Sequence, residues 1–248
     1  LYEKTIIVFL ADHGRAMVRG KQWPYESGLH IPLIIRWPEE YPSPPEFARG
    51  SVDDRLVASI DLTATTIDWA GHAKPDTMQG RVFWGENREP DRDYVFAGRD
   101  RGDETVDRIR TVRDARYRYI RNFYPERPFT QINRYKEASY PVLRLMHRLH
   151  EAGELKGAAA ALMSPTRPRE ELYDLKNDPY ELDNLAADPD QSETVARLRE
   201  VLENWIHEID DQGRFPESPD VIEAFERDMR RNYEQRLEQL RRDEANEK

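Results

Sequence analysis

The sequence predicts an α/β fold that gives way to a small antiparallel sheet with a packed helix and then to a helical tail. Three observations predict it. A continuous apolar run, Thr5-Ile6-Ile7-Val8-Phe9-Leu10, is followed by a polar, glycine-containing loop and a second apolar run, Pro32-Leu33-Ile34-Ile35, which is the strand, functional loop, strand order of α/β proteins. From about residue 92 the pattern changes to short segments of period two. Beyond residue 190 apolar residues recur at three-and-four spacing.

The first run is continuous and β-branched, as expected of a central parallel strand buried on both faces. Such a strand takes neighbours that come before it, so further sequence upstream of Leu1 is expected. A proline-rich connection, Tyr41-Pro42-Ser43-Pro44-Pro45, leads to a helix over residues 59–70. Ser59 can cap that helix and Gly71 can end it, and Ile60, Thr63, Ile67 and Ala70 are expected to face the sheet. The period-two segments are Tyr94–Ala97, Arg108–Arg113 and Arg116–Ile120, with a tight turn at Asp114-Ala115 and a later strand at Glu171–Leu175. Helices are expected over Tyr140–Ala152 and Ser192–Gln212, the second with Val195, Leu198, Leu202, Trp205 and Ile209 on one face. The tail, Pro219 to about Asn246, carries Ile222, Phe225, Met229, Tyr233, Leu237 and Leu240, with Glu226–Arg230 and Glu238–Arg242 spaced for ion pairs. It suits either a helix docked on the fold or an oligomer contact. The expected domains are 1–90 (α/β), 91–216 (antiparallel sheet) and 217–248 (tail).

At 248 residues the chain is long enough to bury a sizeable core. It is polar, 38% hydrophobic against 35% charged, and no apolar run nears the roughly 20 residues of a membrane-spanning helix. A formal charge of −10 opposes general attraction to nucleic acid or anionic membranes. With no cysteine, disulfides and thiolate metal sites are excluded. The compartment stays unknown from these properties.

Chemistry concentrates after the first strand. Asp12-His13-Gly14 sits at the strand's carboxyl end, where open α/β sheets bind ligands. The pair can supply two metal ligands, or Asp12 can merely cap a turn. Between residues 12 and 36 the bases Arg15, Arg19, Lys21 and Arg36 face only Asp12 and Glu26, a basic loop in an acidic chain. A lysine there suits a tetrahedral anion, although a solvated basic loop has the same composition.

The run from Thr5 to Gly14, followed by Gly20-Lys21-Gln22-Trp23-Pro24-Tyr25-Glu26-Ser27-Gly28-Leu29-His30-Ile31-Pro32 and continuing to Pro38, resembles the sulfatase family of the alkaline phosphatase superfamily. The likeness extends through Asp61-Leu62, Gly80-Arg81, Arg99-Asp100-Arg101 and Glu171–Leu175 to about residue 212, and looks closest to bacterial heparan or N-sulfoglucosamine sulfatases. It implies the C-terminal part of an alkaline-phosphatase-like sulfatase fold. It implies further that Asp12 and His13 are two ligands of a divalent cation, usually Ca2+, and that Lys21 contacts the sulfate as a catalytic residue. His30, Arg99, Asp100 and Arg101 would contact substrate, the last three from a loop that serves equally as a structural ion-pair cluster.

The family's formylglycine nucleophile arises from a Cys or Ser followed by proline and arginine at fixed spacing. Neither Ser43-Pro44-Pro45 nor Ser164-Pro165-Thr166 fits, so the nucleophile is expected upstream of this chain. The implied reaction is hydrolysis of a sulfuric ester or sulfamate on a sulfated saccharide or an aryl sulfate, and the implied location is periplasmic or secreted. The alternatives are a phosphodiesterase or phosphonate monoester hydrolase of the same superfamily, and a noncatalytic binding fragment.

Overall fold

A computed structural model describes residues 1–44 and 49–246; Pro45 of the proline-rich connection lies outside them. The chain divides into two compact units. The first holds residues 1–12, 31–96 and 113–117, and the second holds residues 13–30, 97–112 and 118–248.

In the first unit, β1 (Ile7–Leu10) pairs with β2 (Leu33–Arg36). The pairing is antiparallel, with Val8 opposite Ile35 and Phe9 opposite Ile34. The expected parallel, doubly buried strand is therefore not what forms. The chain reverses through the loop between the strands and lays β2 back along β1, and the cross-strand partners Phe9 and Ile34 are each 60% exposed.

Helix α2 (Ser59–Trp69) ends as expected in a Schellman motif: Gly71, at φ +76°, donates to Asp68 O and His72 to Ile67 O. Its start and its buried face differ from expectation. Ala58 is the N-cap, and the Asp61 carboxylate, rather than Ser59, accepts the Ala58 N–H at 2.8 Å. Asp61, Ala64 and Thr65 are buried, while Ile60, Thr63 and Ala70 are exposed. The reason is electrostatic. Asp61 also takes the Arg81 N–H at 2.8 Å and both arms of Arg92, so its carboxylate turns the helix. Trp69 packs edge to face against Trp37 and Trp84, which are tilted to one another, with centroids 5.3–5.8 Å apart.

The second unit contains a four-stranded sheet in the order β3 (Val95–Gly102), β4 (Thr105–Arg113), β5 (Tyr117–Asn122), β6 (Glu170–Asp174), with Val95, Phe96, Arg113 and Tyr117 at strand ends grouped in the first unit. Short turns join the first three strands, which makes them antiparallel. At Asp114 the carboxylate accepts the N–H groups of Arg116 and Tyr117 at 2.8 and 2.6 Å, closing the expected turn. One reading needs correction: Arg99, Asp100 and Arg101 are in strand β3, because the hairpin turns only at Asp103-Glu104, with Asp103 at φ +52°.

Trp23, Tyr25, Ile109, Ile120 and Tyr173 form one core cluster. A second, of Val18, Tyr140, Leu143 and Met146, lies under the helices α3 (Arg134–Ser139), α4 (Pro141–Glu151) and α5 (Gly157–Ala161). Helix α6 (Ser192–Glu208) buries Val195, Leu198 and Leu202 as expected, with Ile209 at its end 36% exposed. In α7 (Pro219–Asn246), Ile222, Met229, Tyr233 and Leu237 are half-buried, whereas Phe225 is 49% exposed under the Arg101 guanidinium, 4.4 Å from its ring. Glu238 and Arg242 approach to 3.7 Å; the Leu240 side chain lies outside those described.

Asp61→Ala should destabilise the first unit by about 3–5 kcal/mol, because it leaves Arg92 without its buried partner. Urea unfolding followed by tryptophan fluorescence measures this, and a loss under 1 kcal/mol would remove Asp61 as the anchor of α2.

Candidate functional site

The loop of residues 13–30 is built on close backbone crossings. Gly14 N donates to Gly28 O at 2.8 Å and Arg15 N to Ser27 O at 2.9 Å, so the loop's two ends zip together. A Cβ on Gly14 would lie 2.1 Å from Ser27 O, one on Gly20 2.0 Å from Arg15 O, and one on Gly28 2.1 Å from Trp23 O. Only glycine admits these approaches. The short helix α1 (Glu26–Leu29) closes the loop.

Side chains then fasten the loop to its unit. Buried Arg118 of β5 pairs with Glu26 of the loop and, at 3.0 Å, with Glu181. Glu181 is 1% exposed; its carboxylate accepts the Glu26 N–H at 2.8 Å, and its carbonyl accepts Arg19 Nη1 at 2.8 Å. Burial pushes the Glu181 carboxyl up to about 7 against the opposing pull of Arg118. Tyr25 donates to Glu171 at 2.8 Å and Tyr173 donates to the same oxygen at 2.6 Å, while Asn122 holds the other at 2.5 Å. Burial and the neighbouring Glu171 raise both phenols well above their ordinary range.

This frame places the expected site residues. His13 and Gly14 O are in contact at 2.7 Å through Nδ1; with Nδ1–H as the donor, Nε2 is the basic nitrogen of the neutral ring. Lys21 is half-buried. Its backbone N–H reaches Arg15 O at 2.7 Å, and its ammonium lies 3.5 Å from Tyr135 OH and 4.8 Å from that ring's centroid. His30 is exposed, with Nδ1 3.0 Å from Glu26 Oε2. Arg99 stacks on Trp23 at 4.5 Å and donates to Thr105 Oγ1 at 2.9 Å. Asp100 pairs with Arg110 at 2.9 Å, and Arg101 pairs with Glu217. The structure thus sends Arg99, Asp100 and Arg101 to three different partners.

Asp12, the last residue of its segment of the first unit, precedes His13 directly. Among the described residues no group of three or more His, Asp or Glu side chains is disposed to hold a metal ion. Calcium takes six to eight oxygens, and an imidazole is a soft ligand for it. Asp12 and His13 alone therefore do not make up a calcium site.

Two residues carry weight that the sequence pattern did not signal. Tyr135 meets Lys21, and Lys136, 6% exposed, donates to Val18 O of the loop at 3.2 Å. Both lie on α3, only six residues long and too short to show a period. The one local sign is Asn133, whose side chain caps the helix.

Residues 1–72 match the Sulfatase family model. An ulvan-active sulfatase of Formosa agariphila is 36% identical over 218 residues, 88% of this chain and 35% of that protein. The N-sulphoglucosamine sulphohydrolase of Homo sapiens is 29% identical, over 84% of this chain and 42% of its own length. The chain thus spans under half of these relatives. Among solved structures, a 2-O GAG sulfatase superposes over 88% of this chain and 40% of its own at TM-score 0.58 and 24% identity. The phosphonate monoester hydrolase of Agrobacterium radiobacter does so over 82% and 35% at TM-score 0.51 and 22% identity. Both likenesses speak for the fold.

Glu181→Gln should change the pH dependence of stability with a defined sign. An unfolded glutamate titrates near 4.5, so between pH 4.5 and about 7 the native state holds more protons and stability falls as pH rises. Urea unfolding from pH 4.5 to 7.5 should show the wild type declining relative to the variant. Parallel curves would mean that Glu181 titrates normally.

Proposed function

Since the chain belongs to the sulfatase family, we propose that the protein to which it contributes hydrolyses sulfuric ester or sulfamate groups on a sulfated glycan. The observation that carries this reading is the Lys21 ammonium on a loop whose backbone is fixed at both ends. A fixed cation acts on charge that develops in the transition state without having to reorganise. As the bond to sulfur breaks, negative charge grows on the bridging oxygen or nitrogen. Lys21 offsets that charge, and the Tyr135 ring and hydroxyl hold its head in place.

The printed names of the relatives, an ulvan-active sulfatase and an N-sulphoglucosamine sulphohydrolase, support a polyanionic saccharide as the substrate class. A sulfated saccharide or aryl sulfate suits the basic loop within an acidic chain. Asp12 and His13 are proposed as two ligands of a divalent cation, most simply calcium, whose remaining ligands come from outside this chain. Such a cation, when bound, supplies Lewis acidity toward the sulfate oxygens. His30, exposed and paired with Glu26 at 3.0 Å, is proposed to meet a saccharide hydroxyl. The partners of Asp100 and Arg101 favour the structural ion-pair role for that segment over a substrate role.

In the enzyme that contains this chain, Lys21→Ala should lower turnover of a sulfate ester by about 10²–10³-fold while leaving the melting temperature unchanged. An unaltered rate would remove Lys21 from the chemistry. The likeness of fold to a phosphonate monoester hydrolase makes transfer of a phosphonyl rather than a sulfuryl group the second reading. Rates on the sulfate and phosphonate esters of one phenol decide it, with the sulfate expected to be turned over faster.

A further inference from the structure

The second unit contains a cavity of about 10 Å³, about the room one water needs, whose polar wall is Gln22, Arg99, Thr130, Gln131 and Lys136 with the Trp23 ring beside them. Two of these residues are cations, and no carboxylate is among the lining residues. Arg99 spends one nitrogen, Nη2, on Thr105, while its buried Nε and Nη1 find no hydrogen-bond partner among the described residues. Lys136 gives one N–H to Val18 O and has two more to place. The nearest acids, Asp107 paired with Arg167 at 2.7 Å and Asp103 bonded to the amides of Gln22 at 2.8 Å and Asn133 at 3.4 Å, offset part of this charge, but among the described residues neither makes a hydrogen bond to Arg99 or Lys136. Buried charges and buried donors without partners are costly, and native structures supply them with counter-groups.

We propose that this cavity binds one monatomic anion of chloride size, held by Arg99 and Lys136 over the edge of Trp23. Charge and size select the ligand. A water accepts hydrogen bonds but cancels neither cation, whereas sulfate, phosphate and carboxylate are too large for the space. Burial beside Arg99 pulls Lys136 down to about 7, and burial likewise brings Arg99 down to about 10. A bound anion reverses both pressures. Gln22 Oε1, also without a partner, is the acceptor a water would use, so water is the competitor to separate. The ion would tie β3, α3 and residues 18–23 of the Lys21 loop together. The proposal does not depend on the hydrolytic activity.

The experiment is thermal unfolding of this chain at pH 7 in sodium chloride, sodium bromide and sodium gluconate at equal ionic strength. Chloride and bromide should raise the melting temperature saturably over gluconate, by roughly 3–6 °C at tenfold the dissociation constant. Arg99→Met and Lys136→Met should each abolish the increment. Equal melting in all three salts, or an increment retained in both variants, overturns the site. If either variant fails to fold, bromide-soaked wild-type crystals decide: an anomalous peak in the cavity supports the anion, and water there overturns it.

Discussion

Arg118 is the constraint on which the rest of the second unit depends. Its guanidinium is removed from water and set between Glu26 of the loop and Glu181 of the segment following β6. Burial raises Glu181 against the opposing pull of Arg118 and Arg19, with the charge of Glu26 adding to the rise. The backbone shares the strain, since Glu181 lies at φ +54°, a conformation a non-glycine residue keeps only when its surroundings enforce it. The resulting knot joins residues far apart in sequence, so the loop's position is a property of the folded unit rather than of the loop.

That arrangement explains why a glycine-rich, polar loop can still hold a functional side chain in place. Glycines at 14, 20 and 28 remove side chains exactly where strands of the loop's own backbone cross, and the crossings are closed by hydrogen bonds. Between the crossings Trp23 and Tyr25 insert into the core against Ile109, Ile120 and Tyr173. Apolar anchors and backbone zippers therefore alternate along the loop, and Lys21 rides between Gly20 and the buried Trp23. A cation on a freely moving loop would lose ordering entropy each time it met an anion. Here much of that cost is met on folding.

How much of this the sequence disclosed depends on the range of the interaction responsible. The apolar runs of β1 and β2, the Asp114 turn, the Gly71 helix stop and the stripe of α6 are local signals, and each appears where its pattern indicated. The buried face of α2 was misjudged because hydrophobicity pointed to Ile60, while Asp61 is held by Arg92, 31 residues on. The period-two pattern covers only Tyr94–Ala97, whereas β3 runs on through Arg99, Asp100 and Arg101 to Gly102. Long-range partners, Arg110 for Asp100 and Glu217 for Arg101, make that charge compatible with a sheet. Beyond the Asn133 cap, nothing local signals Lys136, since its contacts to Val18 and Trp23 span more than 110 residues.

The charges of the second unit also show why net charge is a poor guide to where anions go. The chain is acidic overall, yet around Trp23 the guanidiniums of Arg99 and Arg167 and the ammonium of Lys136 all lie within 6 Å of one ring. An aromatic face can stabilise a buried cation, but it offers no counter-charge. Of the three, Arg167 has Asp107, both side chains being fully buried. Arg99 and Lys136 are offset only in part, by Asp103 and for Arg99 also by Asp107, neither of which makes a hydrogen bond to them among the described residues. Three cations gather around one ring beside the loop that carries Lys21, in a chain whose net charge is −10.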